Sequence, residues 1–278
     1  MTAPVPTMPP PKAPAVAGGL RFKPINTSGG HRVVLYGPGG IGKTTLACMS
    51  KAPVAFFDLD DSLGRLLPQL QELGVADNIK PLDCPDWKAL RDALRSPGWD
   101  GIGTIVIDSG TRAEELCVEH VINTIPHEKG AQVKIKCLDD YGWGKGPGHL
   151  FDAFLPLLAD LDAHARQGRN VVMLCHDCVS NVPNPSGDDW IRYEPRLAAP
   201  KSGKDSIRLR VREWADHVLF YGYDVAVKDG KGKGGGTRTV YPAELPHCMA
   251  KSRTLRQPVP VAAPSPEFWE LVRNGQQA

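Results

Sequence analysis

The chain has 278 residues, 41% hydrophobic and 23% charged, with 33 lysines and arginines against 31 aspartates and glutamates. That length can bury a substantial core, while a formal charge of +2 excludes a whole-protein field that would draw it onto nucleic acid or membrane, so any anion binding must be local. No apolar run reaches membrane-spanning length, no secretory core opens the sequence, and the seven scattered cysteines read as reduced thiols, so a cytoplasmic protein with no membrane partner is expected.

Residues 1–20 hold six prolines and little that could form a core, which predicts a disordered or polyproline-like arm. From there to residue 256 strands and helices alternate. "RVVLY" (32–36), "VAFFDLD" (54–60), "TIVID" (104–108) and "NVVMLC" (170–175) are the short apolar runs of strands buried on both faces. Helical periods fall at 44–50, 87–95, 111–123 and 149–166. The alternation predicts an α/β domain around a parallel sheet. Residues 177–206 read as a long polar loop, and 223–241 as a hairpin with a mobile Gly/Lys tip. Between them Ser206 caps a helix whose stripe is Ile207, Val211, Trp214 and Val218. Trp214 is then core, and Arg208, Arg210 and Arg212 face solvent or a neighbouring subunit. Residues 257–278 form a second Pro-rich linker ending in a short amphipathic helix.

The first strand runs into Gly37, Pro38, Gly39, Gly40, Ile41, Gly42, Lys43 and Thr44, a complete G-x-x-x-x-G-K-[ST] motif, with Thr45 following. Its glycines let successive backbone N–H groups curl around phosphates without a Cβ in the way. Lys43 reaches the β- and γ-phosphates, Thr44 ligates Mg²⁺, and the helix that opens here adds its dipole. A strand before and a helix after supply the context the motif needs, so ATP with Mg²⁺ is the expected ligand. Asp108, at the end of "TIVID", is the expected second support of the Mg²⁺. Asp58, Asp60 and Asp61 end one strand and His176 ends another, both at the carboxyl edge where doubly wound sheets bind ligands. No N-K-x-D guanine-reading motif is present. "CHDC" (175–178) offers two thiols and a histidine, but no second C-x-x-C pair closes a zinc site. His31, His120 and the remaining histidines have no evident partners and are expected at the surface or at caps.

These segments resemble the RecA-like core ATPases encoded by bacteriophages, AAA-type ATP-binding proteins that include a single-strand annealing group. "FDLDD" takes the place of the strand end I-D-x-E that carries the catalytic base. "MLCHD" matches the sensor strand, "REWADHVLFY" the W-x-D segment, and "MAKSRTLRQP" the A-K-x-R-x-x-x-P end of the core. The resemblance implies a P-loop NTPase of RecA-like type, with a doubly wound, mainly parallel sheet and a C-terminal β-hairpin extension. It implies Asp60 as the base, shorter by a methylene than the family's Glu and with Asp61 as the alternative. It further implies His176 as the γ-phosphate sensor, and Lys251 and Arg253 as cations acting on a neighbour's ATP.

The implied partners are single-stranded DNA, further copies of the chain in a ring or filament, and a phage or host single-strand binding protein. DNA would touch two segments, 124–148 with Lys129, Lys134, Lys136, Trp143 and Lys145, and 177–205 with Arg192, Arg196, Lys201 and Lys204. Cations interleaved with aromatics suit a strand whose bases can stack. The expected function is ATP hydrolysis coupled to phage recombination or strand annealing. The alternative is an ATP-dependent switch or loader that acts on a replication protein without gripping DNA.

Overall fold

In the computed structural model, residues 28–130, 132–184, 186–201, 203–228 and 231–276 are described; the expected N-terminal arm and the centre of the hairpin tip lie outside them. The described chain runs β1 (Arg32–Gly37), α1 (Lys43–Cys48), β2 (Val54–Asp58), α2 (Leu63–Glu72), β3 (Ile79–Leu82), α3 (Trp87–Arg95), β4 (Thr104–Asp108), α4 (Gly110–Thr124) and α5 (Lys145–Arg166). It continues through β5 (Asn170–Val182), β6 (Trp190–Pro195), α6 (Ile207–Trp214), β7 (His217–Lys228), β8 (Lys231–Tyr241), β9 (Val259–Pro260) and α7 (Pro266–Asn274).

The sheet order is β3-β2-β4-β5-β1-β7-β8-β9, with β6 paired to the far half of β5. The strands from β3 to β7 are mutually parallel, and β8 and β9 close the edge antiparallel. Side chains along β1 alternate between two cores, as a strand covered on both faces requires. Val34 and Tyr36 join the layer of α3, α4, α5 and α6, whereas Val33 and Leu35 join that of α1, α2 and α7. Helices on both faces of a mainly parallel sheet, extended by the β7–β8 hairpin, make the doubly wound architecture expected from the sequence.

Several local expectations give way. The polar stretch after residue 176 is not a loop: β5 continues to Val182 and turns back as β6, with Asp177 opposite Pro195 and Val182 opposite Trp190. Its inward positions carry charge rather than apolar side chains, so the usual alternation is hidden. Glu194 is buried between Arg192 and Arg208, and Arg208 also donates to the Leu197 carbonyl at 3.1 Å. Arg208 is therefore an internal cation, while Arg212 pairs with Glu244 on the surface. Trp214 is half-buried rather than core, with the Arg32 guanidinium 5.9 Å from its ring centre.

Segment 257–276 is docked, not a free linker. Its β9 joins the sheet, and Phe268, Trp269 and Val272 of α7 sink into the α1 face. Burial of such side chains stabilises by roughly 1.5–3 kcal/mol each. Trp269 Nε1 donates to the Leu46 carbonyl of α1 at 2.7 Å.

Two histidines also find partners. His31 Nδ1 lies 2.9 Å from His217 Nε2, and His217 Nδ1 lies 2.8 Å from Ser252 Oγ. Burial, then His31, holds the His217 imidazole down to about 4.

Candidate nucleotide-binding site

Register places the site. Gly37 stands opposite His176, and Asp108 stands opposite both Asp58 and Leu174, so the ends of β1, β2, β4 and β5 meet at one edge of the sheet. The loop from Gly37 to Gly42 crosses that edge and delivers Lys43 into α1. Gly37 has no room for a side chain, since a Cβ there would lie 2.0 Å from the Tyr221 carbonyl oxygen. Gly42 sits at φ 103°, a conformation that glycine adopts without strain.

Lys43 is only 8% exposed and spans the loop, donating to the carbonyls of Gly37 at 2.8 Å and Pro38 at 3.0 Å. Burial lowers its pKa, partly offset by Asp108. Thr44 Oγ1 donates to Asp108 Oδ2 at 2.6 Å, and Ser62 Oγ to the same oxygen at 3.3 Å. Burial raises the Asp108 carboxyl to about 6, against the pull of Thr44. A buried carboxylate and a hydroxyl already in contact form a hard-oxygen pair suited to Mg²⁺. Bound there, the cation would offset the cost of burying that charge. Thr44 and Asp108 are the residues that would hold it. Thr45 is buried behind them.

Asp58, the last residue of β2, and Asp60 beyond it separate by role. Asp58 is spent on structure: Oδ1 accepts from the Ser62 N–H at 2.8 Å and Oδ2 from the Leu63 N–H at 2.9 Å, at the start of α2. Asp60 is exposed, with Oδ2 3.7 Å from His176 Nε2. Burial, then Lys43 and Arg196, lower the His176 pKa, which keeps the imidazole neutral near pH 7. The His176 backbone is anchored on both sides: its N–H donates to Thr111 Oγ1 at 3.2 Å, and its carbonyl accepts from the Arg196 N–H at 2.8 Å.

Lys251 and Arg253 are at the opposite edge. Lys251 bridges to Val218 near the start of β7, and Arg253 Nε donates to Asp216 Oδ1 at 2.8 Å. Asp216 also accepts from Arg32 at the start of β1. From Arg32 to Gly37 is five strand steps of about 3.3 Å, roughly 17 Å. Neither cation sits at this chain's own phosphate loop.

Of the residues expected to meet DNA, Lys129, Lys134, Lys136, Arg196, Lys201 and Lys204 are exposed, and Trp143 is 97% exposed. Lys145 opens α5 rather than lying in a loop, and pairs with Glu128. Arg192 is drawn inward onto Glu194 and Glu244 and does not present a free guanidinium. Beside Pro38 lies a hollow of about 670 Å³ that includes Tyr193, Phe220, Tyr241 and His247. Nothing in the sequence announces it, because its residues are brought together only by the β6 turn-back and the β7–β8 hairpin. Of the CHDC segment, Cys175 is buried in β5 and Cys178 Sγ lies 3.5 Å from the Glu194 carbonyl. Among the described residues, no group of three or more His, Cys, Asp or Glu side chains is arranged to hold a metal, and no helix is long and apolar enough to cross a membrane.

The chain is similar in structure to the RadB recombinase at 16% identity, over 77% of this chain and 80% of that one, with a TM-score of 0.40. It is also similar to a KaiC-like protein from the hyperthermophilic archaeon Pyrococcus horikoshii at 17% identity, over 76% and 77%, with a TM-score of 0.41. No curated protein matches the sequence. Residues 30–254, most of the chain and all of the phosphate-binding edge, match the family AAA_24, described as an AAA domain; the chain belongs to that family.

Proposed function

We propose that this protein is an ATPase that binds ATP with Mg²⁺ at the Gly37–Thr45 loop, assembles with further copies of itself on single-stranded DNA, and serves phage DNA recombination or strand annealing. The observation that carries the nucleotide half is the contact of Thr44 with buried Asp108 beside a buried lysine that spans the phosphate loop. In this reading the loop N–H groups and Lys43 hold the phosphates, and Asp60 orients the attacking water. Mg²⁺ would neutralise developing phosphate charge. His176, close to Asp60 and tied through its carbonyl to Arg196, reports the γ-phosphate to the segment after β6. Lys251 and Arg253, a strand length from their own loop, serve the next subunit's ATP, which makes hydrolysis depend on assembly. Exposed Lys129, Lys134, Lys136, Arg196, Lys201 and Lys204, with Trp143, supply cations and a stacking surface for a single strand.

The β5–β6 hairpin favours a second reading. Val179 and Ile191 on it are 60% and 68% exposed, an apolar pair suited to a protein partner. A loader acting on a replication protein would use that surface instead of a DNA grip.

ATP hydrolysis with and without single-stranded DNA, in wild type and in a Lys251→Ala/Arg253→Ala variant, tests the proposal. Stimulation by DNA that disappears in the variant is expected. Hydrolysis indifferent to DNA, with no oligonucleotide retained at low salt, would turn the reading to the loader.

A further inference from the structure

A phosphate loop works through its N–H groups, so its carbonyls must point elsewhere and be held there. The Ile41 carbonyl is held by a residue almost two hundred positions away: Arg238 on β8 donates from Nη1 to Ile41 O at 3.0 Å. The Ile41–Gly42 peptide is trans, since the cis bonds of the described chain lie elsewhere. In a trans peptide the C=O and N–H point in opposite directions. Fixing Ile41 O on Arg238 therefore aims the Gly42 N–H away from the hairpin.

Arg238 is itself clasped. Its Nη2 donates to the Ala262 carbonyl at 3.1 Å, and its own carbonyl accepts from the Val261 N–H at 2.8 Å. The same C-terminal segment reaches α1 a second time through Trp269 and Leu46. Among the described residues no carboxylate forms an ion pair with Arg238, and both of its bonded guanidinium nitrogens are given to backbone carbonyls.

We propose that Arg238 is a positioning residue of the nucleotide site: it sets the Ile41–Gly42 peptide for phosphate binding, adds positive potential behind the loop, and ties nucleotide affinity to the C-terminal segment. This rests on the nucleotide reading above. A strut of this kind acts on the loop rather than on the γ-phosphate. Its loss weakens ADP and ATP alike and raises KM with kcat nearly unchanged.

The test uses the full chain with Mg²⁺ and fluorescent ATP and ADP analogues, in wild type, Arg238→Ala, Arg238→Gln and Arg238→Lys, each checked for folding by circular dichroism and melting. A charged hydrogen bond to a carbonyl is worth enough that Arg238→Ala should weaken both nucleotides about tenfold. Arg238→Lys, which keeps the charge but not the fork, should fall between. If Arg238→Ala does not fold, Arg238→Gln and Arg238→Lys carry the test. Affinities within twofold of wild type in a folded Ala or Gln variant would overturn the proposal, as would a fall in kcat with affinity intact. Wild type binding neither nucleotide would overturn the nucleotide reading and this inference with it, whereas binding by wild type and variants alike removes only the inference.

Discussion

The two edges of the sheet are built in different ways. The carboxyl edge is assembled from one contiguous motif plus strand ends, and its charged groups, Lys43 and Asp108, are buried with few compensating partners. The amino edge is assembled from residues scattered along the chain, and its charges are compensated. Arg32 bonds both Asp162 and Asp216, Asp216 also accepts from Arg253, and His31 pairs with His217. An edge whose burial costs are left uncovered is suited to a ligand that brings the missing charges. An edge already neutralised contributes stability, and only its exposed members remain available to another molecule. Arg253, with 68% of its side chain exposed, is such a member.

The largest effect should come from breaking the carboxyl edge. Lys43→Ala should reduce nucleotide affinity and hydrolysis by about a hundredfold or more, with little loss of stability, because a buried ammonium is removed along with its desolvation cost. Nucleotide titration alongside urea unfolding checks both halves. Removing the cations at the other edge, half-buried Lys251 and exposed Arg253, in Lys251→Ala/Arg253→Ala, should lower turnover about a hundredfold while leaving nucleotide affinity and folding near wild type, since Asp216 keeps Arg32 as its partner.

Asp216→Ala should do the reverse, costing about 2–3 kcal/mol in urea unfolding because Arg32 loses its principal partner in a half-buried setting. The pH dependence follows from the same pair. Burial raises the Asp216 carboxyl, but Arg32 outweighs it and holds the pKa near 2, below its unfolded value. Its stabilisation is therefore complete above about pH 4 and lost as pH falls towards 2.

Asp108 has the opposite sign. Its folded pKa of about 6 lies above the unfolded value, so its contribution to stability without ligand is present below about pH 4 and lost as pH rises through 6. Protons should accordingly compete with Mg²⁺, and Mg²⁺-dependent ATP affinity should weaken by up to about tenfold per unit below pH 6. Titration between pH 5 and 8 reads this smallest and most diagnostic of the differences.

Local chemistry explains what was legible. The phosphate loop is one contiguous string with a steric reason at each glycine, and β1, β2, β4 and β5 are apolar runs that only a buried parallel sheet accommodates. The helix α2 hides because Gly64 and Pro68 interrupt its pattern, although Asp58 accepts from its first N–H and Leu70 is buried. β6 hides because Glu194 pairs with both Arg192 and Arg208, so that charge stands at positions where alternation would call for apolar residues. The His31–His217 contact and the Arg238 strut join positions 186 and 197 residues apart, and no periodicity reports such a distance. The roles of Asp60, His176, Lys251 and Arg253 rest on resemblance. The folded chain adds where each stands: the first two at the phosphate edge, the last two a strand length away.

That separation gives the account its most direct test. Lys43→Ala protein keeps its cations but cannot hold ATP, whereas Lys251→Ala/Arg253→Ala protein holds ATP but lacks the cations. Hydrolysis should be nearly absent in each alone and should reappear when the two are mixed in the presence of single-stranded DNA, because a site of one subunit would then face the intact edge of another. A mixture as silent as its components, under conditions where wild type turns over, would contradict the claim that neighbouring subunits complete one another's sites.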